Sequence, residues 1–330
     1  MTTRPSVLQV AQWGAETTEG TSVAANRTLP SIPVGMAVAG EVNKYPALGF
    51  KAPTVAAPGR EWTEVSIQDH APTYDELTYL LASALVNPSP VQQGGTTAYL
   101  WTFTPSPSAA DTIATYTVEQ GSSFRAHKAT GVFVSELTLK GDRQSVTCSG
   151  KAMGRLFSDG ITMTGSPTAV AQIPILPKHV DVYIDSTSGA LGTTKQTRPL
   201  SWELSVKRFA PLWVVDSANT SFAARIETEI ELGLKLKMQA DAQGMALLAN
   251  FRSGALAYVR VVATSDAVAG TAYPYKLQWD GAFAVDGAPG EIADSDGVFA
   301  LDWSLMGMSD SGWSSGRMLS VALTNRRTAL

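Results

Sequence analysis

The run Arg225–Met238, RIETEIELGLKLKM, alternates apolar and charged residues almost without interruption. Ile226, Ile230, Leu232, Leu234, Leu236 and Met238 fall on one side of an extended chain. Glu227, Glu229, Glu231, Lys235 and Lys237 fall on the other. That period of two is the signature of a β-strand with one face in a core and one face in water. At ~3.3 Å per residue the strand would be about 40 Å long, roughly twice the usual strand of five or six residues. Three carboxylates in a row repel one another unless water screens them, so the charged face is expected to be wet. Two readings of that face stay open: an ordinary solvated sheet surface, or the lining of an aqueous channel built by several copies of the chain.

The segment before it, Phe209–Ala224 (FAPLWVVDSANTSFAA), is too apolar for a free loop tip, with Leu212, Trp213, Val214 and Val215 consecutive. Either it folds back on its own domain, or it is a contact arm for a neighbour anchored by Trp213. Outward along the chain, short alternating runs separated by Gly, Pro, Asp and Ser predict strands at Glu61–Asp69, Tyr99–Thr104, Ile113–Glu119, Val132–Lys140, Val180–Asp185, Trp202–Lys207, Leu256–Thr264 and Lys276–Val285. Helical spacing occurs at Thr73–Leu85, where Thr73 and Glu76 suit a capping box. It occurs again at ADAQGMALLANF, with Asp241 as N-cap, Met245, Leu248 and Phe251 inward, and Gly254 beyond the end. The fold class is therefore mainly β.

Two phrases match at a distance of 166 residues: GVFVSELTLKG from Gly131 and GVFALDWSLMG from Gly297. Asp75 and Asp241 share that spacing, and Tyr99 and Tyr116 match Tyr258 and Tyr275 at 159. Each half reads hairpin, helix, then four strands. The expectation is an internal duplication into two tandem β-sandwich or barrel domains, residues 1–170 and 171–330, each with one α-helix. Their junction lies near 165–178, where prolines and a glycine interrupt the pattern.

The chain of 330 residues is 44% hydrophobic, only 16% charged, and carries a net charge of −4. A surface so poor in charge suits partial cover by a partner. The acidic balance argues against tight nucleic-acid binding, though not against a surface that DNA passes without sticking. The lone Cys148 excludes an intramolecular disulfide and a cysteine-rich metal site, and is expected to be a small buried residue. No stretch approaches the ~18 apolar residues of a membrane helix, and the N-terminus lacks a signal-peptide core, which suggests folding in the cytosol. His70, His127 and His179 are scattered away from other ligand types. SVTCSGKA lacks the first glycine and the Ser/Thr of a phosphate loop, and DSDG (294–297) reads as a turn rather than a calcium loop. No catalytic, cofactor or metal site is nominated, and no enzyme activity is expected.

The opening WGAETTEGTSVAANRTLP (Trp13–Pro30) resembles the start common in major tail tube proteins of long-tailed, non-contractile bacteriophages. The order of strands with one helix per domain is similar to the tube fold over nearly the whole chain. That resemblance implies a structural virion protein, assembled in the host cytoplasm. It would stack as rings with itself around a tape-measure protein, meet tail terminator and distal tail proteins, and let DNA through its lumen. Carried over by position, Glu227, Glu229, Glu231, Lys235 and Lys237 would line the lumen. Trp13, Glu16, Tyr45, Phe50, Leu212, Trp213, Val214 and Val215 would make contacts between subunits or rings, as would the segment Met1–Pro30 and the hairpin Tyr45–Arg60. Two domains per chain imply three chains in a pseudo-sixfold ring; without duplication, six chains would be needed. The rival expectations are another virion β-sandwich (distal-tail, decoration or carbohydrate-binding) and an enzyme with an unreadable site.

Overall fold

The computed structural model describes residues 9–216, 219–295, 297–314 and 316–330. Residues 1–8 of the N-terminal contact segment, 217–218 of the apolar arm and 296 of the DSDG turn lie outside the described residues. The chain is mainly β, with two α-helices among the described residues. Its first segment lays down β1 (Val10–Ala15), β2 (Arg27–Thr28), β3 (Val34–Pro46), β4 (Pro53–His70), α1 (Leu77–Ala84), β5 (Val91–Gln92), β6 (Tyr99–Phe103), β7 (Tyr116–Gly121), β8 (Ala126–Asp142), β9 (Val146–Gly154) and β10 (Phe157–Ile161). A short β11 (Thr168–Ala169) leads to β12 (Val180–Asp185), β13 (Lys195–Gln196), β14 (Pro199–Leu212), β15 (Ala224–Gln239), α2 (Leu247–Ser253), β16 (Ala257–Ala267), β17 (Pro274–Val285), β18 (Ala293–Ser295), β19 (Val298–Gly307) and β20 (Leu319–Asn325).

The pairing pattern of the first segment recurs in the second. β1 pairs with β2 and β7, as β12 pairs with β13 and β16. β7 pairs with β8 as β16 does with β17. β8 then takes β9 and β10, as β17 takes β19 and β20. The hairpin β3–β4 and the pair β4–β9 return as β14–β15 and β15–β19. All of these pairs are antiparallel, and α1 follows β4 as α2 follows β15.

This pattern corrects the expected residue equivalences. Tyr116 sits opposite Val132, and Tyr258 sits opposite Ala282, so Tyr116 corresponds to Tyr258 rather than to Tyr275. The partner of Gly131-Val-Phe is Gly281-Ala-Phe on β17, whereas GVFALDWSLMG forms β19, the position of β9. A half-buried strand alternates inward apolar and outward polar residues wherever it lies, so a shared phrase reports the pleat and not the place in the sheet.

Neighbouring strands run β3–β4–β9–β8–β14–β15–β19 in one long sheet. The join between segments is β8–β14, from Ser201 opposite Asp142 to Lys207 opposite Glu136. One face of this sheet (Val65, Ile67, Leu137, Leu139, Leu204, Val206, Leu234, Leu236, Leu305) is buried in a hydrophobic cluster that runs through both segments. The second layer comprises β10, β8, β7, β1 and β2 over the first segment. Over the second it comprises β12, β16, β17, β20 and, borrowed from the first segment, β6.

The two helices differ in cover. Every residue of α1 is buried. Its turn is set by Thr73, whose hydroxyl accepts from the Glu76 N–H and donates to the Glu76 carboxylate at 2.7 Å. The second segment closes over it: Asn325 Nδ2 donates to the Tyr74 carbonyl and to Thr78 Oγ1, Arg327 reaches the Tyr79 hydroxyl, and Tyr275 packs 5.7 Å from Tyr74. α2 starts later than expected, because Asp241 Oδ1 caps Gln243 and Gly244 in a preceding turn. It does end at a left-handed Gly254 (φ +70°). Only Leu247 of α2 is buried, and Phe251, expected inward, is exposed.

Asp75, just before α1, is buried, and its nearest cation is Arg326, with Nε 3.5 Å from Oδ2. Desolvation pushes its carboxyl above the usual carboxylate range, against the pull of Arg326 and Arg327 and with Glu76 adding repulsion. A raised acid binds its proton more tightly when folded, so this group's contribution falls as pH rises from its unfolded pKa through the raised one. Urea midpoints across roughly pH 4 to 8 should therefore show Asp75→Asn gaining stability relative to the wild type as pH rises. A difference independent of pH would contradict the assignment.

Candidate functional site

The exposed face of the long sheet sets polar and charged side chains in register across its strands. The period of two that buries Leu232, Leu234 and Leu236 puts Glu231, Gly233, Lys235 and Lys237 on this face, and the register does the same on neighbouring strands. One row crosses four strands with alternating sign: Lys151 on β9, Glu136 on β8, Lys207 on β14 and Glu231 on β15. Lys151 bonds Glu136 at 2.8 Å and Lys207 bonds Glu231 at 2.9 Å. A second row holds Lys140 on β8, Glu203 on β14 and Lys235 on β15, with Lys235 2.9 Å from Glu203 and Lys140 2.7 Å from Asp69. Between the rows lie Thr138, Ser205 and Gly233. A third row places Asp142 on β8, Ser201 on β14, Lys237 on β15 and Asp302 on β19.

Hydrogen bonding to Lys140 holds the Asp69 carboxyl below its usual range, and hydrogen bonding to Glu136 raises Lys151. Exposed pairs of this kind add little to stability, typically about 0–1 kcal/mol. Their consequence is for the surface itself: each lysine is answered by a carboxylate one strand away. A polyanion crossing this face meets no unopposed basic stripe from which to displace counterions.

This arrangement corrects the expected row of carboxylates. A bulge between Lys207/Glu231 and Phe209/Glu227 breaks the alternation of β15. Glu231, Lys235 and Lys237 stay on the polar face; Glu227 does not stand beside them. It accepts from Arg208 and from the Asp111 N–H, the latter at 3.1 Å. Glu229 faces an open cleft of about 720 Å³ lined also by Pro105, Pro107, Ile230 and Met308. Ile226, expected in the core, is 40% exposed. The physical reason is Arg208, which is fully buried and bonded to the Leu85 carbonyl at 2.7 Å, to Asp111 and to Glu227. A buried guanidinium needs its anions close, and the strand bulges to deliver one. The doublet Lys207-Arg208 carries the signal for this, since two adjacent charges on a strand cannot both face water.

The expected contact residues divide. Trp13 is wholly buried and packs edge-on to Tyr116 at 5.2 Å, so it is a core residue and not a contact. Glu16 is spent within the chain: its carboxylate accepts from the Gly20 and Gly131 N–H groups and from the Thr115 and Thr117 hydroxyls. Both lie in the motif that carries the resemblance, and a motif built of packed or bonded residues reports fold first. Trp213 folds back, 5.6 Å from Trp62 and 6.1 Å from Phe222, with Arg60 4.8 Å over its ring. It clamps the β14–β15 connection to the β3–β4 hairpin, and Thr220 accepts from the Glu61 N–H at 3.0 Å in the same clamp. Leu212, Val214 and Val215 remain exposed. So does the end of the β3–β4 hairpin, where Tyr45, Leu48 and Phe50 are 55%, 102% and 69% exposed beside Val42 and Val55.

Cys148 is buried in β9, and burial pushes its thiol up to about 12. Among the described residues no group of three His, Cys, Asp or Glu side chains converges as a metal site would require. No helix among them is long and apolar enough to cross a membrane. Neither a scan of protein-family models nor a search of curated proteins finds a match to this chain.

Proposed function

We propose that this chain is the structural subunit of a phage-type tail tube. In this reading residues 1–170 and 171–330 are two tandem copies of one tube domain, and three chains make a pseudo-sixfold ring. The observation that carries it is the β8–β14 join, where two segments of recurring topology add edge to edge into one sheet with a dry face and a charge-balanced wet face. Repeating that join around an axis turns the wet face into a lumen. Opposed charges across neighbouring strands then let DNA slide rather than bind. Stacking falls to the apolar hairpin end at Tyr45–Phe50 and to Val214–Val215, which project beyond the sheet. Rings stack around a tape-measure protein and end on terminator and distal tail proteins in the virion tail.

Negative-stain microscopy of concentrated protein, with and without a tape-measure partner, is the direct test. Rings or tubes with a central hole and three chains per ring by mass are expected. A monomer at every concentration and with every partner would end this reading.

A further inference from the structure

The recurrence leaves two halves of one interface unfilled. β3 occupies in the first segment the place that β14 occupies in the second, yet β14 is flanked by β8 while β3, among the described residues, pairs only with β4. At the other end, β17 occupies the place of β8, and among the described residues no counterpart of β14 lies beyond its inner end. There the strand leaves the sheet at Gly287–Ile292 and returns as β18, paired to β19. On that same second segment α2 is half exposed, whereas α1 is sealed by the segment that follows it.

The free edge of β3 is not left bare. Gln120, at the end of β7, lays its carboxamide along it: Oε1 accepts from the Met36 N–H at 3.1 Å and Nε2 donates to the Val34 carbonyl. His127 holds the amide in place, donating from Nε2 to Gln120 Oε1 at 3.1 Å while its ring stacks on Phe157 at 4.8 Å. A side-chain amide carries one donor and one acceptor as a backbone rung does, so Gln120 imitates the first rung of a missing strand.

We propose that the β3 edge is the docking edge for a second copy of this chain, which presents its β17–β18 edge and α2, and that Gln120 guards this edge in the free chain. The occupant is argued from continuity: the chain already contains one such join at β8–β14, and each copy carries one unfilled half of each kind, as a head-to-tail contact requires. The guard occupies the rungs at Val34 and Met36, so docking displaces it and the free chain does not pair indiscriminately. The proposal rests on the tube reading only for closure into a ring.

Two variants test it by sedimentation against concentration, with far-UV circular dichroism and urea midpoints as controls for folding. Gln120→Ala removes the competitor, and its association should begin at roughly tenfold lower protein concentration than wild type. Val38→Pro deletes the next outward N–H of β3, two residues beyond Met36, without touching a bond to β4; it should fold and fail to associate. Association of Val38→Pro at the wild-type concentration, or no shift in Gln120→Ala, overturns the proposal. Rings that persist in Val38→Pro overturn the edge and leave the tube reading standing. Edge-dependent association into open fibres supports the edge and overturns the tube.

Discussion

Arg208→Met is expected to lower stability by about 3–5 kcal/mol, the usual cost of removing one member of a buried ionic cluster. The side chain is 1% exposed and holds three partners at once: the Leu85 carbonyl at the end of α1, Asp111 in the loop before β7, and Glu227 on β15. Without the guanidinium, two carboxylates face each other in a poorly solvated site, and the α1 carbonyl loses its donor. Adding Glu227→Gln to Arg208→Met should recover part of the loss, because one uncompensated charge goes. Urea unfolding of the single and double variants measures this. A loss below about 1 kcal/mol for Arg208→Met would mean that the cluster adds no more than a surface pair.

Trp13→Ala is expected to cost about 3–5 kcal/mol, the range for deleting a large aromatic from a filled core. Trp13 is wholly buried in β1, and its ring meets Tyr116, which in turn packs on Tyr79 and donates from its hydroxyl to the Tyr79 carbonyl at 2.8 Å. The loss would therefore open a gap between β1, β7 and α1, and the edge-on aromatic contact would go with it. Had Trp13 been a contact residue, the variant would keep its urea midpoint and lose only assembly. The two outcomes separate cleanly in a single titration.

Local pattern carried the parts of this fold that local physics decides. From Leu232 to Met238 the alternation in RIETEIELGLKLKM matches the buried and exposed faces of β15 residue by residue. Before Glu231 the same alternation continues in the sequence and fails in the sheet, because the bulge answers to Arg208 on the neighbouring strand. A period-two pattern cannot register a demand made by another strand. The helix α1 was legible from Thr73, Glu76 and its leucines, but its complete burial was not. That burial depends on Tyr275, Asn325 and Arg327, some 200 residues or more downstream. The matching GVF phrases occupy different places in the sheet, and what recurs between the segments is which strands pair. The ionic rows were hidden for the same reason, since Glu136, Lys207 and Glu231 become neighbours only through register. Gln120 gave no signal at all: a polar residue at a strand end looks like any other until an open edge stands beside it.

The exchange of β6 has a consequence in time. Tyr99–Phe103 pairs with Leu319–Asn325, the last strand among the described residues, and Trp101 donates its indole N–H to the carbonyl of Arg327. A nascent chain therefore cannot seal its first half when that half leaves the ribosome. The N-terminal segment must wait, with α1 uncovered, until nearly all 330 residues exist. Formation of β20 and maturation of the earliest strands become one event, so a chain interrupted before Leu319 would be left unfinished in both segments.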